Sequence, residues 1–249
     1  MKRATKIGLI IGGAVLLFAL TVVANISRSR SQVRGIEVSI RHSRTPQLVS
    51  EQAVADSIKT AMPDIMGTRV ADVDREQVTA AAMRVPFIEE VAVSMSVSGK
   101  VVVKAQQRRP IARLFYGNRE LYIDRNGVVF PTSQLADCNV LVMGGDFNEP
   151  LCPDSLNSQL TELLKVAVFL DQKEQYGVLI DQIYSESDGD IMMVSKLGDN
   201  VIELGSADDL NTKFSNLWTF YRRGMPRTGW NTYSKISLKY EGQVVCTKK

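Results

Sequence analysis

Residue types that carry chemistry are sparse in this chain, and their spacing argues against catalysis. The single histidine, His42, stands among Ser43, Arg44 and Thr45. Chemistry that needs two imidazoles is excluded, and His42 reads as a solvated loop residue. Three cysteines, Cys138, Cys152 and Cys246, are too few for a disulfide scaffold and too scattered for zinc. Neither G-x-S-x-G, nor H-E-x-x-H, nor a phosphate-cradling glycine loop occurs. Asp188-Gly189-Asp190 opens like a calcium loop, but the remaining ligand positions are missing and the tripeptide reads as a hairpin turn. No two carboxylates stand in a setting suited to acid–base work. The expectation is a non-enzyme without metal or cofactor.

What remains is the chemistry of the backbone. In the closing stretch YSKISLKYEGQVVCTKK, Tyr233, Ile236, Leu238, Tyr240, Val244 and Val245 place apolar or aromatic groups through a segment without helical punctuation. It reads as a final strand. A last strand without a successor tends to lie at a sheet edge, where unpaired N–H and C=O groups are either guarded or used to bind another chain.

The elements that must position such an edge follow from patterning. An apolar share of 45% supports packed cores, and a net charge of +3 argues against nucleic acid as the main partner. After the basic MKRATK, residues Ile7 to Ala24 run 18 positions without a charge. That is roughly 27 Å of helix, close to the hydrocarbon thickness of a bilayer. The run reads as a membrane helix over 7–25. The rival is a cleaved signal ending near Val22-Val23-Ala24, but the stretch exceeds the usual h-region of about 7–15 residues. Lys2, Arg3 and Lys6 before it and Arg28, Arg30 and Arg34 after it leave the orientation a tie by charge count.

Beyond a polar linker, VRGIEVSI reads as a strand. Val54, Ile58, Ala61 and Met62 mark one helix, and Val78, Ala81, Ala82 and Val85 a second that opens on Asp74 and Gln77. Val91, Val93, Met95 and Val97, then Val101, Val103 and Ala105, form a hairpin around Ser98-Gly99. The order β-α-α-β-β predicts a three-stranded sheet with two helices on one face. From residue 107 onward, short strands (IARLFY, LYID, VVFP, NVLVM, VLIDQIYS, IMMVSK, NVIELG) alternate with two helices. One opens at Pro153-Asp154 and carries Leu156, Leu160, Leu163, Leu164 and Ala167. The other has Ser206 as its expected N-cap, Leu210, Phe214, Leu217, Trp218 and Tyr221 on its inner face, and Gly224 as its stop. The fold class is α+β.

This order of parts resembles the bacterial cell-division family FtsQ/DivIB. Several segments carry the likeness: GTRVADVDREQVTAAAMRVPFIEEVAVS with its Pro86-Phe87 pair, QQRRPIARL, LYIDRNGVVFP, NVIELGSADDLNTKFSNLWTFY and YSKISLKYEGQVVC. The chain departs from the pattern at Gln107, where an acid is common, and at Ser237 and Lys239, which replace an acid and an arginine. The resemblance implies a cytoplasmic tail (1–6), a transmembrane helix (7–25), a linker (26–34), a POTRA-like domain (35–105) and a C-terminal β domain with two helices (106–249). It sets the N-terminus in the cytoplasm and both domains in the periplasm, with the protein in the inner membrane at the septum.

The resemblance further implies a divisome scaffold that binds the FtsB–FtsL pair by strand addition and helps recruit and regulate septal peptidoglycan synthesis. Carried onto this chain, the edge comprises Tyr240, Glu241, Gly242, Gln243, Val244, Val245 and Cys246. The alternative is a POTRA-bearing transport or assembly component of the envelope, for which the chain lacks the many amphipathic strands of a barrel. In an oxidising periplasm Cys138 and Cys152 either close a disulfide worth on the order of 3 kcal/mol or stay as separate thiols.

Overall fold

The computed structural model describes residues 32–147 and 156–249. The expected transmembrane helix lies outside the described residues. The chain divides between Arg108 and Arg109 into two compact units. Among the described residues, no helix is long and apolar enough to cross a membrane.

The first unit has the expected element order. Strand β1 (Gly35–Arg41) leads to helix α1 (Glu51–Ala61), two 3-10 turns, helix α2 (Arg75–Met83), and strands β2 (Ile88–Met95) and β3 (Lys100–Gln107). β3 is central, parallel to β1 and antiparallel to β2. Both helices start on side-chain caps. Ser50 accepts from the Ala53 N–H, and Asp74 from those of Glu76 and Gln77. Val54, Ile58, Val78, Ala81 and Ala82 pack against Val101, Val103 and Ala105 to form one core. The hairpin ends earlier than its alternation suggested: β2 stops at Met95, and Val97 sits in the turn, 82% exposed.

Gln107 explains one departure from the resembled pattern. Its side chain is buried at the end of β3. Oε1 accepts from the Leu48 N–H at 2.7 Å, while Nε2 donates to the Pro46 carbonyl at 3.0 Å and to Thr45 Oγ1 at 3.3 Å. A carboxylate could supply only the accepting half of this set.

The second unit is a nine-stranded sheet. Its strands are β4 (Pro110–Tyr116), β5 (Arg119–Asp124), β6 (Val129–Pro131), β7 (Leu141–Gly145), β8 (Ile180–Ser185), β9 (Ile191–Ser195), β10 (Val201–Gly205), β11 (Tyr233–Ser237) and β12 (Val245–Lys248). They lie in the order β12-β11-β10-β9-β8-β7-β4-β5-β6. Helix α3 (Ser158–Gln172) with the single turn α4 (Glu174–Gly177) connects β7 to β8. Helix α5 (Leu210–Arg223) with the single turn α6 (Met225–Thr228) connects β10 to β11. Both joined pairs are parallel, as a helical crossover requires, and each is followed by an antiparallel strand. The run β7-α3-β8-β9 is thus repeated in form by β10-α5-β11-β12.

Two start signals differ from those expected. The α3 cap is Asn157, whose side chain accepts from the Leu160 N–H at 2.8 Å; Pro153-Asp154 lies outside the described residues. The cap position of α5 is Asp209 in a left-handed conformation, not Ser206. Ser206 instead accepts, with the Leu204 carbonyl, from the Lys213 ammonium. Burial among these partners pushes the Lys213 pKa down.

The helices bury one face of the sheet. Leu160, Leu163, Val166, Phe214 and Leu217 meet Leu114, Met143, Ile183, Met193, Ile202 and Ile236 in a single core. Aromatic rings join the two helical connections: Phe214 lies 5.1 Å from Phe169 and 5.4 Å from Tyr176, and Tyr176 meets Trp218 edge-on at 6.2 Å. The closing stretch is not one strand. β11 and β12 are the arms of a hairpin, with Leu238–Val244 as its loop.

Gly205 at the end of β10 controls how that loop departs. Its φ is +73°, and a Cβ there would lie 2.7 Å from Lys239 Cγ. Gly205→Ala is therefore expected to cost about 1–3 kcal/mol of unfolding free energy. Placing it on a Lys239→Ala background removes the clash but leaves the backbone strain. Denaturant unfolding of the four-member cycle should show a smaller Gly205→Ala cost in that background.

Candidate functional site at the last sheet edge

A sheet of this size has two ends, and only one is blunted. β6 is three residues long and finishes on Pro131, which has no N–H to offer. β12 is four residues, Val245-Cys246-Thr247-Lys248, without proline. It pairs with β11 on one side, and no strand among the described residues pairs with it on the other.

The ladder fixes which backbone groups are free. Lys235 faces Thr247, Ile236 faces Cys246 and Ser237 faces Val245. The Lys249 N–H donates inward to the Thr232 carbonyl at 3.2 Å. The two-residue period of a strand turns the backbone groups of Thr247 and Val245 inward with it. Those of Cys246 and the Lys248 N–H point off the sheet, where an incoming strand would meet them, while the Lys248 carbonyl accepts from Ser234 Oγ at 3.3 Å.

Side chains on both faces anchor this edge. Ile236 and Leu238 are buried in the core under α5, with Cys246 half-buried beside them. Burial pushes the Cys246 thiol pKa up. On the opposite face, Lys235 Nζ lies 3.1 Å from the Glu203 carboxylate. A hydrogen bond from Ser237, joined by Lys235, holds Glu203 below the ordinary carboxylate range. Lys239 crosses Gly205 to pair with Asp190 in the β8–β9 turn, tying the base of the closing loop to the next hairpin. Asp188-Gly189-Asp190 is that turn: Asp188 accepts from the Asp190 N–H at 3.0 Å.

Of the seven residues expected along the edge, only Val245 and Cys246 belong to β12. Tyr240, Glu241, Gly242, Gln243 and Val244 lie in the loop that leads to it. Gly242 has φ +69°, and the Gln243 N–H donates to the Tyr240 carbonyl at 3.3 Å. Tyr240 is 55% exposed and Val245 43%. Thr247 and Lys248 complete the strand. The other cysteines lie elsewhere. Cys138 is buried in the loop before β7, with no disulfide partner among the described residues; burial raises its thiol pKa, and its N–H donates to the Tyr122 hydroxyl at 3.0 Å. Cys152 lies outside the described residues.

A family model described as FtsQ/DivIB, C-terminal related, matches residues 109–247. That is more than half the chain and the whole nine-stranded unit from its first residue almost to its last. No curated protein matches the chain. The chain belongs to the FtsQ/DivIB family, a family of non-enzymatic cell-division scaffolds.

The Glu203 arrangement has a sign in pH. A carboxylate whose folded pKa is depressed stabilises the fold above its unfolded pKa and loses that contribution as pH falls through the folded one. Thermal unfolding midpoints should therefore fall as pH is lowered from about 4.3, the ordinary glutamate value. Glu203→Gln should make that decline shallower and leave the neutral-pH fold intact by circular dichroism.

Proposed function

We propose that this member of the FtsQ/DivIB family is a single-pass scaffold of the divisome that receives a partner by strand addition at β12. On this reading, residues 7–25 anchor the chain with its N-terminus in the cytoplasm. Residues 35–105, with the β-α-α-β-β order, form a POTRA-like domain, and residues 106–249 form the β domain, both in the periplasm. The partner is an FtsB-type protein arriving with its FtsL-type companion. The assembly recruits and regulates septal peptidoglycan synthesis.

One observation carries the reading: within a unit matched by a cell-division family, no strand among the described residues pairs with the outer side of β12, while the opposite end of the same sheet is blunted by a short strand and a proline. Main-chain pairing along β12 would supply affinity, and side chains around the closing loop, Tyr240 among them, would supply choice of partner. An envelope transport component remains the rival, but only the element order of the first unit speaks for it.

Lys248→Pro tests this directly. It deletes an N–H that points off the sheet and leaves the bonds to β11 in place, so the fold should survive. Full-length protein should then lose at least tenfold in affinity for the FtsB–FtsL-type pair, read by co-purification and titration. Tyr240→Ala should weaken binding several-fold without lowering the unfolding midpoint. In hydrogen exchange, the partner should protect the amides of Cys246 and Lys248. Wild-type affinity in Lys248→Pro, with no added protection, would remove strand addition from the account.

A further inference from the structure

The chain enters the first unit between two turns. On one side the Arg34 N–H donates to the Gly99 carbonyl at 2.8 Å. On the other, the Val33 N–H donates to the Thr68 carbonyl and the Gly67 N–H to the Val33 carbonyl, both at 2.9 Å. The first turn, Ser96 to Gly99, is closed by the Gly99 N–H on the Ser96 carbonyl at 3.0 Å. Gly99 has φ +80°, and a Cβ there would lie 2.6 Å from the Gln32 carbonyl oxygen, so this turn presses against the entering chain. β1 and β3 run parallel away from this end, Gly35 facing Lys100, and the chain leaves the unit after Gln107 at the other. The eight residues of β3 set the two ends about 26 Å apart.

Both turns carry an apolar side chain into solvent. Val97 is 82% exposed, more than any other large apolar side chain among the described residues, and Met66 is 47% exposed. Serines on either side give Val97 nothing to pack on, and polar residues or proline suit such a position better. One exposed apolar residue needs no explanation, but these two sit on turns that clasp the same three residues. The cations here are unequally engaged. Arg69 pairs with Asp72 and Lys100 with Glu37, each at 3.0 Å. Arg34 is exposed and has no ion pair among the described residues. Asp64, close to Met66, offsets one positive charge; Arg28 and Arg30 just upstream add two, and residues 25–34 contain no acid.

Chain length says what covers this end. On the anchor reading the membrane span finishes at residue 25, and Gln32 already stands beside the two turns. Seven residues reach at most about 25 Å. The entry end is held within that distance of the bilayer, and so short a tether gives even a weak surface contact a high effective concentration. A bilayer interface accepts apolar side chains at headgroup depth and arginines beside phosphate.

We infer that this end of the first unit rests on the bilayer, with Val97 and Met66 among the headgroups and Arg34 against the phosphates of anionic phospholipid. β1 and β3 then point away from the membrane and carry the chain outward, and the unit does not tumble freely on its linker. The inference rests on the anchor reading of residues 7–25.

The test uses full-length protein carrying Cys138→Ala, Cys152→Ala and Cys246→Ala, in bilayers of phosphatidylethanolamine and phosphatidylglycerol. A polarity-sensitive fluorophore is attached in turn at Val97→Cys, at Met66→Cys and, as a control at the far end of β1, at His42→Cys. Lipid with a doxyl quencher near the headgroup should quench the reporters at 97 and 66 at least twofold more than the one at 42, and their emission should be blue-shifted. Arg34→Glu should at least halve the quenching at 97, Arg34→Lys should preserve it, and exchanging phosphatidylglycerol for phosphatidylcholine should act like Arg34→Glu. Circular dichroism checks each fold, and Arg34→Gln stands in should the Glu variant misfold. Solvent-like emission at all three positions, in protein that stays with the vesicles through a carbonate wash, overturns the inference and leaves the anchor in place. Quenching indifferent to both Arg34→Glu and phosphatidylglycerol overturns the contact with phosphate. Protection that appears only when the FtsB–FtsL-type pair is added assigns the turns to a protein and overturns the lipid contact. If the carbonate wash strips the protein from the vesicles, the anchor reading falls and the inference with it.

Discussion

Parallel strands cannot be joined by a tight turn, and that constraint shapes the whole second unit. β10 and β11 run parallel, so the chain between them must travel the length of the sheet and return, which α5 and α6 do. Those helices cover the sheet face that holds Ile202, Leu204, Ile236 and Leu238. After β11 a short antiparallel return suffices, and it places β12 outermost. The free edge is thus a consequence of how the core is covered. It stays exposed because Ile236 and Leu238 hold β11 firmly from beneath, while Glu203 and Lys235 hold it from the other face.

The repeated form of β7-α3-β8-β9 and β10-α5-β11-β12 sharpens this. In the first run, β9 is completed by β10 through the ladder of Val201 with Val194 and Ile202 with Met193. β12 occupies the place that β9 occupies, without such a neighbour among the described residues. The two helical connections touch through Phe169, Tyr176, Phe214 and Trp218, so the runs share one core and the second is braced by the first. A strand so braced can stay extended and in register while one side of it is unpaired.

Much of the fold was legible in the residues, because periodicity dominates where burial is one-sided. The helices at 51–61 and 75–83, and the alternation of Val101, Val103 and Ala105, follow from it directly. Errors fell where two signals competed. In the closing stretch, alternation through Ile236, Leu238 and Tyr240 suggested one strand, but Glu241-Gly242 breaks it; the positive φ at Gly242 is the physical reason. At α5, Ser206 offered a capping hydroxyl three residues early, but Lys213 Nζ donates to the Ser206 carbonyl at 2.8 Å and to that hydroxyl at 3.5 Å. The expected edge divides accordingly: Val245 and Cys246 lie in β12 with Thr247 and Lys248, and Tyr240 to Val244 lie in the loop before it.

An open edge by itself reads no sequence, because every strand offers the same N–H and C=O groups. Discrimination has to come from side chains around it. Here the surroundings are charged unevenly. Lys248 and Lys249 end the edge, Arg223 and Arg227 flank its head, and the nearby carboxylates Asp190, Asp199 and Glu203 already hold lysines. A second copy of this chain would bring lysine against lysine, which disfavours edge-to-edge self-pairing. An acidic strand would meet uncompensated cations at its flank without displacing an internal pair. On the strand-addition proposal, the same charges that disfavour self-pairing would favour a partner of opposite sign, and the intramolecular ion pairs would sharpen that choice by leaving the nearby carboxylates already engaged.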